Sequence, residues 1–351
     1  MTVDRSFYRV EKQEINIQKK TMAGTQKRVT LNDVANYCGL SRSLVAFIIS
    51  GSGYRNSTPE NRRKVAEAVK ALNYRSNTAA RELRARKSST IGVAMPMSGT
   101  GIYGNMALEL QREINKRGLS SLFSFWGGDD SQEKHAQIIR PFFERNLGGV
   151  ISWDPAPCFH EEKIPAVIYG YRSELYDYIV LDEEQMILKS LEHLKQFGHR
   201  KVGILSVGER NRYFREHVGR CGLETRPEWI FELTFWSRRP LDAFGKFYKE
   251  CGGVLPDALI CHSDTEAIAA ISSAANFGIR VPEDLSMIVL DSSFMTSLLC
   301  PALDSFDLDF AKMAEQLVVF LLNRIDNPDA PLCSAQILPQ LVHRKSVIER
   351  K

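Results

Sequence analysis

The sequence lacks the features that mark several classes of protein. Its seven cysteines are scattered and no two of them form a C-x-x-C pair, which argues against a disulfide framework and a zinc site. It has no apolar run of the ~18–20 residues that a membrane helix needs. Its first twenty residues are too polar for a signal peptide. These absences favour a protein of the reducing cytoplasm.

Motifs for enzymatic chemistry are also missing. There is no P-loop, no G-x-S-x-G nucleophile motif and no recognisable pair of acid and base carboxylates. The seven histidines do not stand near cysteines or acids at the spacing of metal ligands. The sequence therefore indicates no reaction, no metal and no cofactor, apart from one glycine-rich stretch, Gly99–Gly104.

The sequence does have an uneven distribution of charge. Its formal net charge of +4 comes from 46 Lys and Arg against 42 Asp and Glu in 351 residues. Residues 27–88 hold 13 of the bases and four of the acids, a net of +9, whereas residues 89–351 carry a net of −7. A basic segment beside an acidic body is typical of a nucleic-acid-binding head on a regulatory or catalytic domain. A solvated basic surface is the alternative.

Residues 1–26 match no pattern, and their polar composition predicts a disordered extension. Met22 stands just ahead of the basic head and is an alternative start, which would leave residues 1–21 out of the native protein.

The basic segment carries short helical patterns. Thr30 is a suitable N-cap for a first helix that Gly39 ends, and Ser41 begins a second helix that runs to about Ser50. Two short helices joined across a glycine-containing turn make a helix-turn-helix. A third helix begins at Thr58 and Pro59.

The second helix of such a unit enters the major groove, where its exposed early side chains contact the edges of the bases. In this sequence those side chains are Arg42, Ser43, Ala46 and Phe47. A three-helix bundle that does not contact DNA is the alternative.

From residue 89 onward, strand-like runs alternate with helix-like ones; the strand-like runs include TIGVAM, GGVIS, PAVIYG, KVGILS, ALICH and LSMIVLD. This repetition predicts doubly wound parallel sheets. Some 260 residues exceed one typical sheet domain, so we expect two α/β lobes. Ligands of such sheets bind at the carboxyl ends of the strands, which here means the cleft between the lobes.

A competing signal lies at the start of this body. Gly99–Gly104 spells G-x-G-x-x-G between a strand and a helix, and Asp129 and Asp130 follow the second strand. That is the sequence context of a dinucleotide-binding site. A loop whose glycines only let the backbone approach the cleft is the alternative.

Several segments resemble one family. TLNDVANYCGLSRSLVAFIISG and the following TPENRRKVAEAVKALNYRSNTAARELRARKSSTIGV resemble the DNA-binding head and hinge of LacI/GalR-type repressors. LEHLKQFGHRKVGIL, IRVPEDLSMIVLDSS and LVHRKS resemble three later segments of that family, so the resemblance runs from about Lys27 to Ser346.

The resemblance implies a domain order. Residues 27–76 are the helix-turn-helix head, 77–88 the hinge helix and linker, 89–346 a two-lobed periplasmic-binding-protein-like core, and 347–351 a tail. The core is expected to cross between lobes near residues 165, 307 and 337.

The resemblance also implies DNA contacts. Phosphate or groove contacts fall on Thr30, Asn32, Ser41, Thr58, Asn61 and Tyr74; base-reading positions fall on Arg42, Ser43 and Phe47; hinge-helix positions include Asn77, Ala80, Leu83 and Arg84. Leu83 matches a leucine that the family wedges between base steps. The family usually has Arg where Phe47 stands and Asn where Ser50 stands, so we expect a palindromic site with atypical half-sites.

Residues matching the family's effector contacts are Asp154, Arg212, Trp236, Ser263, Asp264, Asp291 and Phe310. An arginine and an aspartate supply forked donors and a bidentate acceptor, which suit adjacent sugar hydroxyls. Trp236 and Phe310 would stack on an apolar face. The R-x-x-G-F pattern that usually follows the arginine is lost here, so the register of Arg212 is open by up to three residues.

Together these features predict a cytoplasmic, nucleoid-associated transcriptional regulator, a repressor that binds a palindromic operator as a homodimer and responds to a sugar-like effector. It is expected not to be an enzyme. Two alternatives stay open: a dinucleotide-binding enzyme or redox sensor that uses Gly99–Gly104, and a sugar-binding module without DNA binding.

Overall fold

A computed structural model describes residues 29–50, 57–74, 88–96, 101–126, 132–145, 147–153, 155–233 and 241–350. The chain divides into two compact units, Met1–Ala85 and Arg86–Lys351. In the described part of the chain, no helix has the length and apolar character to cross a membrane.

The first unit contains three helices, α1 (Leu31–Cys38), α2 (Arg42–Ser50) and α3 (Pro59–Ala71). Their small core consists of side chains that recur at helical spacing, and the buried members are Val34, Ala35, Val45, Val65 and Ala68. Because each helix is short, this packing rather than intrinsic helix propensity holds the three together.

The second unit is built from parallel strands alternating with helices. The strands are β1 (Thr90–Pro96), β2 (Ser120–Trp126), β3 (Gly149–Ser152), β4 (Ala166–Tyr169), β5 (Asp177–Leu181), β6 (Val202–Ser206), β7 (Ile230–Glu232), β8 (Ala258–Ser263), β9 (Ser286–Asp291), β10 (Asp304–Asp307), β11 (Ser334–Ile337) and β12 (Gln340–Val342). The helices are α4 (Ile102–Lys116), α5 (Gln132–Phe143), α6 (Cys158–Glu161), α7 (Glu183–Gln196), α8 (Gly208–His217), α9 (Leu241–Glu250), α10 (Asp264–Asn276), α11 (Met295–Leu298) and α12 (Phe310–Asp326).

These strands form two six-stranded sheets, which define two lobes. The first lobe has the order β11-β5-β4-β3-β1-β2, and the second has β12-β10-β9-β8-β6-β7. The strand pairs are parallel except for β10 with β12, which is antiparallel. Helices cover both faces of each sheet, so the central strands are apolar throughout. The predicted fold class, a helix-turn-helix head followed by a two-lobed parallel α/β core, is confirmed.

The chain passes between the lobes at three places. One passage follows β5 at Leu181, a second lies between β10 and α12, and a third lies between β11 and β12. The expectation of a crossing near residue 165 is wrong, because β4 and β5 both belong to the first sheet.

The error has a physical origin at the start of β5. Asp177 begins this strand, and an acid there hides it from a search for apolar runs. Asp177 is only 1% exposed, and Arg324 of α12 pairs with both of its carboxylate oxygens at 2.9 Å. A charge is tolerated in the core only with such a partner, and this one comes from 147 residues further along the chain.

Candidate functional site

The helices of the head begin with side-chain caps, and α1 ends at a glycine. Thr30 and Asp33 form a capping box at α1, in which the Thr30 N–H donates to the Asp33 carboxylate at 2.7 Å. Gly39 ends α1 at φ +65°, a left-handed conformation that suits glycine. The Ser41 hydroxyl accepts the Leu44 N–H, and the Thr58 hydroxyl accepts the Asn61 N–H at 3.2 Å. The side-chain caps give partners to backbone N–H groups that the first turn of a helix leaves without one.

The face of α2 that points away from the core carries the predicted base-reading residues. Arg42 and Ser43 are exposed, Ala46 is half-buried, and Phe47 leaves 54% of its surface exposed. Of the predicted groove and phosphate contacts, Asn32 is exposed and Tyr74 is half-buried. A phenylalanine that leaves this much of its surface exposed can contact an apolar group such as a thymine methyl.

The predicted hinge positions Asn77, Ala80, Leu83 and Arg84 lie outside the described residues, as does the side chain of Ser50. Their assigned roles remain predictions.

In the larger unit, polar side chains meet where three neighbouring strands of the second sheet end. Ser206 ends β6, His262 and Ser263 end β8, and Asp291 ends β9. Arg210, in the first turns of α8, reaches into this group and forms a forked ion pair with Asp291, with Nη1–Oδ2 3.0 Å and Nη2–Oδ1 2.8 Å. Both residues are nearly inaccessible, at 4% and 5% exposure.

The partners of Arg210 keep it charged. Burial alone would lower its pKa, but the carboxylates of Asp291 and Glu183 raise the pKa above its ordinary value. Glu183 accepts from Nε at 2.8 Å, and the carbonyl oxygen of His262 accepts from Nη1 at 3.2 Å. The guanidinium is therefore held in one orientation by groups on three different elements, α7, β8 and β9.

His262 completes this side of the cleft in its neutral form. Burial, followed by the nearby Arg210 charge, lowers the pKa of His262 to about 3. Its Nδ1 lies 3.0 Å from the Ser206 hydroxyl and 3.1 Å from Arg210 Nη1. Because the guanidinium can only donate, Nδ1 is an acceptor and Nε2 carries the proton.

The first lobe presents aromatic rings at the corresponding strand ends. Trp153 follows β3 and packs edge-to-face against Tyr103, Tyr169 and Tyr171, with centroids 5.1, 4.8 and 6.0 Å away. Gly170, at φ +98°, passes so close beneath the Trp153 ring that a Cβ there would lie 3.0 Å from it. The indole Nε1 of Trp153 is buried and has no hydrogen-bond partner among the described residues.

The two sides face each other. Burial raises the pKa of both Tyr103 and Tyr169, and the Asp291 carboxylate raises each further. This electrostatic effect requires that the first lobe's tyrosines lie near the second lobe's ion pair. Gly101 approaches the same region, since a Cβ added there would come within 2.9 Å of Asp264 Oδ1.

The position of Asp264 argues against the dinucleotide-binding alternative. Gly101 precedes α4, whose N-terminus is where a pyrophosphate would sit, and the Asp264 carboxylate of the second lobe already stands beside it. Its other oxygen accepts the Ser293 N–H at 3.1 Å, so the carboxylate is held in place. A negative charge fixed there opposes a pyrophosphate. Gly99, Asp129 and Asp130 lie outside the described residues.

The structure corrects the register of the predicted arginine. Arg212 lies on the outer face of α8 and pairs with Glu209 and Glu216 at the surface, whereas Arg210, two residues earlier, points to Asp291. The R-x-x-G-F pattern that would fix the register of this arginine is absent from the sequence. A helix turns by about 100° per residue, so an error of two positions moves the side chain to the opposite face.

The other predicted effector residues are distributed as follows. Asp291 and Asp264 lie in the cleft, and Ser263 donates to Glu266, whose pKa burial raises. Phe310 is half-buried against the core of the first lobe. Asp154 and Trp236 lie outside the described residues.

Sequence reasoning missed four cleft residues: Tyr103, Trp153, Tyr169 and Arg210. The sequence carries a signal for the first three. Trp153 follows β3, Tyr169 ends β4, and Tyr103 lies in the first turn of α4, the helix that follows β1, so all three stand near the carboxyl ends of strands.

Comparisons with known proteins agree with this arrangement. Residues 191–347 match the family model described as periplasmic binding protein-like domain. The chain is 28% identical over 341 residues to the HTH-type transcriptional repressor PurR of Mannheimia succiniciproducens, covering 91% of this chain and 98% of that protein. It is 26% identical to catabolite control protein A of Staphylococcus epidermidis, over 87% of this chain and 96% of that protein.

Solved structures share the fold. The lac repressor dimer bound to operator and the anti-inducer ONPF superposes with a TM-score of 0.76 at 21% identity, over 92% of this chain and all of that one. The transcriptional regulator CelR in its cellobiose complex gives 0.65 at 21% identity, over 91% of this chain and all of that one.

The sequence relatives are transcriptional repressors that match along nine-tenths of the chain, and the protein is a regulator rather than an enzyme. The helical head, the two-lobed core and the relatives together support one assignment, a ligand-responsive, DNA-binding transcriptional regulator of the LacI/GalR type.

Proposed function

We propose that the protein is a repressor that binds a palindromic operator as a homodimer, in the cytoplasm at the nucleoid, and that a sugar-type effector enters the cleft between its lobes. The observation that carries the effector proposal is the buried Arg210–Asp291 pair facing the aromatic group around Trp153.

The chemistry of the cleft favours a ligand with hydroxyls and an apolar face. Arg210 retains an N–H beyond those used by Asp291, Glu183 and His262, and each Asp291 oxygen retains a lone pair. The buried Nε1 of Trp153 is a further donor, and a buried donor is stabilised when it gains an acceptor. Tyrosine and tryptophan rings supply apolar walls.

DNA recognition is proposed for the exposed face of α2, with Arg42, Ser43 and Phe47 on base edges and Thr30, Asn32, Ser41, Thr58, Asn61 and Tyr74 on the backbone. A two-fold symmetric dimer reads two half-sites, which is why the operator is proposed to be palindromic. Leu83 is proposed to enter the minor groove between base steps.

We propose that effector binding in the cleft changes operator binding through the three segments that connect the lobes. A ligand that prefers one lobe arrangement shifts the equilibrium toward it, and the resulting displacement changes the spacing of the two heads.

The effector proposal is tested by thermal shift and calorimetry of the full chain against a panel of sugars, sugar phosphates and purine bases. At least one sugar should bind the wild type and lose binding in Tyr103→Ala and Trp153→Ala, while Tyr37→Ala, an exposed tyrosine of the head, leaves it unchanged. Binding of bases alone would overturn the sugar assignment and leave the regulator assignment standing.

The DNA proposal is tested with a duplex that the wild type enriches from random DNA. Phe47→Ala should weaken binding to that duplex far more than binding to unrelated DNA, because it removes a base contact. Leu83→Ala should do the same. Equal losses on both DNAs would contradict the assigned roles.

A further inference from the structure

A cluster of metal-ligating side chains lies away from the cleft, on the second lobe. His193 of α7, Asp304 at the start of β10 and His343 just after β12 come together although they are 111 and 39 residues apart in sequence. Among the described residues, this His–Asp–His cluster is the group of three potential ligands whose atoms all lie within 4.8 Å of one another.

The three side chains converge on one oxygen. Asp304 Oδ2 lies 3.0 Å from His193 Nε2 and 2.6 Å from His343 Nδ1. Asp304 is fully buried, and a buried carboxylate of this kind needs positive partners or a cation. Two imidazole nitrogens and one carboxylate oxygen are a ligand set that Zn²⁺ and related borderline divalent ions accept, with an open fourth position for water.

The surroundings orient these ligands. The second oxygen of Asp304 accepts the Ser346 N–H at 3.1 Å, which fixes the rotation of the carboxylate. The ring of Phe197 lies against both imidazoles, with centroids 4.8 Å from His193 and 4.6 Å from His343. Partners of this kind, one shell beyond the ligands, set the geometry of metal sites.

The cluster has a route to solvent. His193 lines an open cavity of about 420 Å³, whose walls come from α7 and from the segment Leu338–Leu341. His343 is 46% exposed. Lys189 and Glu192 also line the cavity and carry opposite charges, so the wall adds no net charge that would repel a cation.

The distances need only a small adjustment. Ligand atoms of a tetrahedral zinc lie about 3.4 Å apart, given metal–ligand bonds of about 2.1 Å. Each of the two contacts between Asp304 Oδ2 and an imidazole nitrogen would have to open by less than about 1 Å as a metal ion replaces the protons of these two hydrogen bonds. The two imidazole nitrogens, which lie within 4.8 Å of each other, would have to reach the same separation. His343, on a short loop after β12, can supply that movement.

From this geometry we propose that the His–Asp–His cluster binds one borderline divalent cation, such as Zn²⁺ or Co²⁺. Its three ligands come from elements that adjoin the passages between the lobes: α7 follows the first, β10 precedes the second and β12 follows the third. A bound cation would join these three segments.

The test is a titration of untagged, chelator-treated full-length protein with Co²⁺, followed by visible absorption, and with Zn²⁺ by calorimetry. We expect one ion per chain and the absorption of tetrahedral cobalt with nitrogen and oxygen ligands. His343→Ala and His193→Gln should each weaken binding by roughly 100-fold or more.

The matched control is His217→Ala, which removes a histidine from a pair with one carboxylate, Glu184 at 2.7 Å, and should leave binding within about twofold. His343→Cys supplies a thiolate at the same place and should restore binding with a new sulfur-to-cobalt charge-transfer band, which also shows that the site remains folded. No saturable binding, equal binding in wild type and His343→Ala, or a thiolate band in the wild type would overturn the proposal.

Discussion

Replacing Arg210 by methionine tests the central feature of the cleft. The change removes the guanidinium and leaves Asp291, 5% exposed, without the two hydrogen bonds that it accepts from Arg210. Leaving one member of a buried ion pair unpaired typically costs about 3–5 kcal/mol. Glu183, which is more exposed, loses a partner too but can be hydrated, so we expect a loss within that range rather than above it.

Two further variants separate this explanation from a general intolerance of the site. Replacing both members, Arg210→Met with Asp291→Leu, removes the unpaired charge and should recover much of the stability, since apolar replacements of buried ion pairs are often neutral. Arg212→Met, two residues away on the same helix, removes surface ion pairs and a contact of the guanidinium with the Tyr213 ring, and it should change stability little.

The assay is urea unfolding of the full chain, followed by circular dichroism. The interaction is taken from the double-mutant cycle of wild type, Arg210→Met, Asp291→Leu and the double variant. The account predicts a strongly destabilised single variant, a recovered double variant and an unaffected Arg212 control. Equal losses at Arg210 and Arg212, or a double variant that shows the sum of the two single losses, would refute the reasoning.

Three other predictions concern the rest of the molecule. Thr30→Ala removes the cap of α1 and should lower the unfolding free energy of the head by about 1 kcal/mol, whereas an unchanged head by circular dichroism would contradict the capping box. Gly198 has a φ of +80° and Gly118 a φ of +72°. A Cβ at Gly198 would overlap the carbonyl oxygen of Arg350, whereas a Cβ at Gly118 would meet no atom within 4 Å. Gly118→Ala should therefore cost about 1 kcal/mol and Gly198→Ala clearly more, and equal melting temperatures of the two variants would argue against the overlap. Burial lowers the pKa of His262 to about 3 and of His199 to about 4, below the 6.5 of an unfolded histidine. The unfolded chain therefore binds more protons, and stability should fall as pH drops from about 6.5 towards 4, by up to ~1.4 kcal/mol per pH unit for each histidine. His262→Gln should flatten that slope, and a slope unchanged by the substitution would contradict the assignment.

Local chemistry made much of the fold predictable. Thr30, Gly39, Ser41 and the Thr58–Pro59 pair each act on the backbone next to them, so their effect can be derived from neighbours in sequence. The alternation of apolar strands and amphipathic helices likewise depends on spacing alone. For this reason the helical head and the two-lobed core could be predicted together.

The remainder depends on partners that are distant in sequence. Asp177 can lie in a buried strand because Arg324 neutralises its charge. The residues next to Asp177 in sequence give no indication of that pair. Asp304 likewise contacts two histidines that are distant in sequence. A search for metal ligands at close spacing in the sequence cannot find residues that only the fold brings together. Arg210 could not be identified from the sequence because a shift of two residues along α8 decides which arginine faces the cleft, and the packing of α8 sets that orientation.

The most direct measurement of the central claim is selection of binding sites from random duplex DNA by the full-length protein. The account predicts enrichment of an inverted repeat read by two copies of the helical head, with altered preference in the half-sites when Phe47 is replaced by arginine. Failure to enrich any inverted repeat, with or without each sugar of the effector panel, would contradict it.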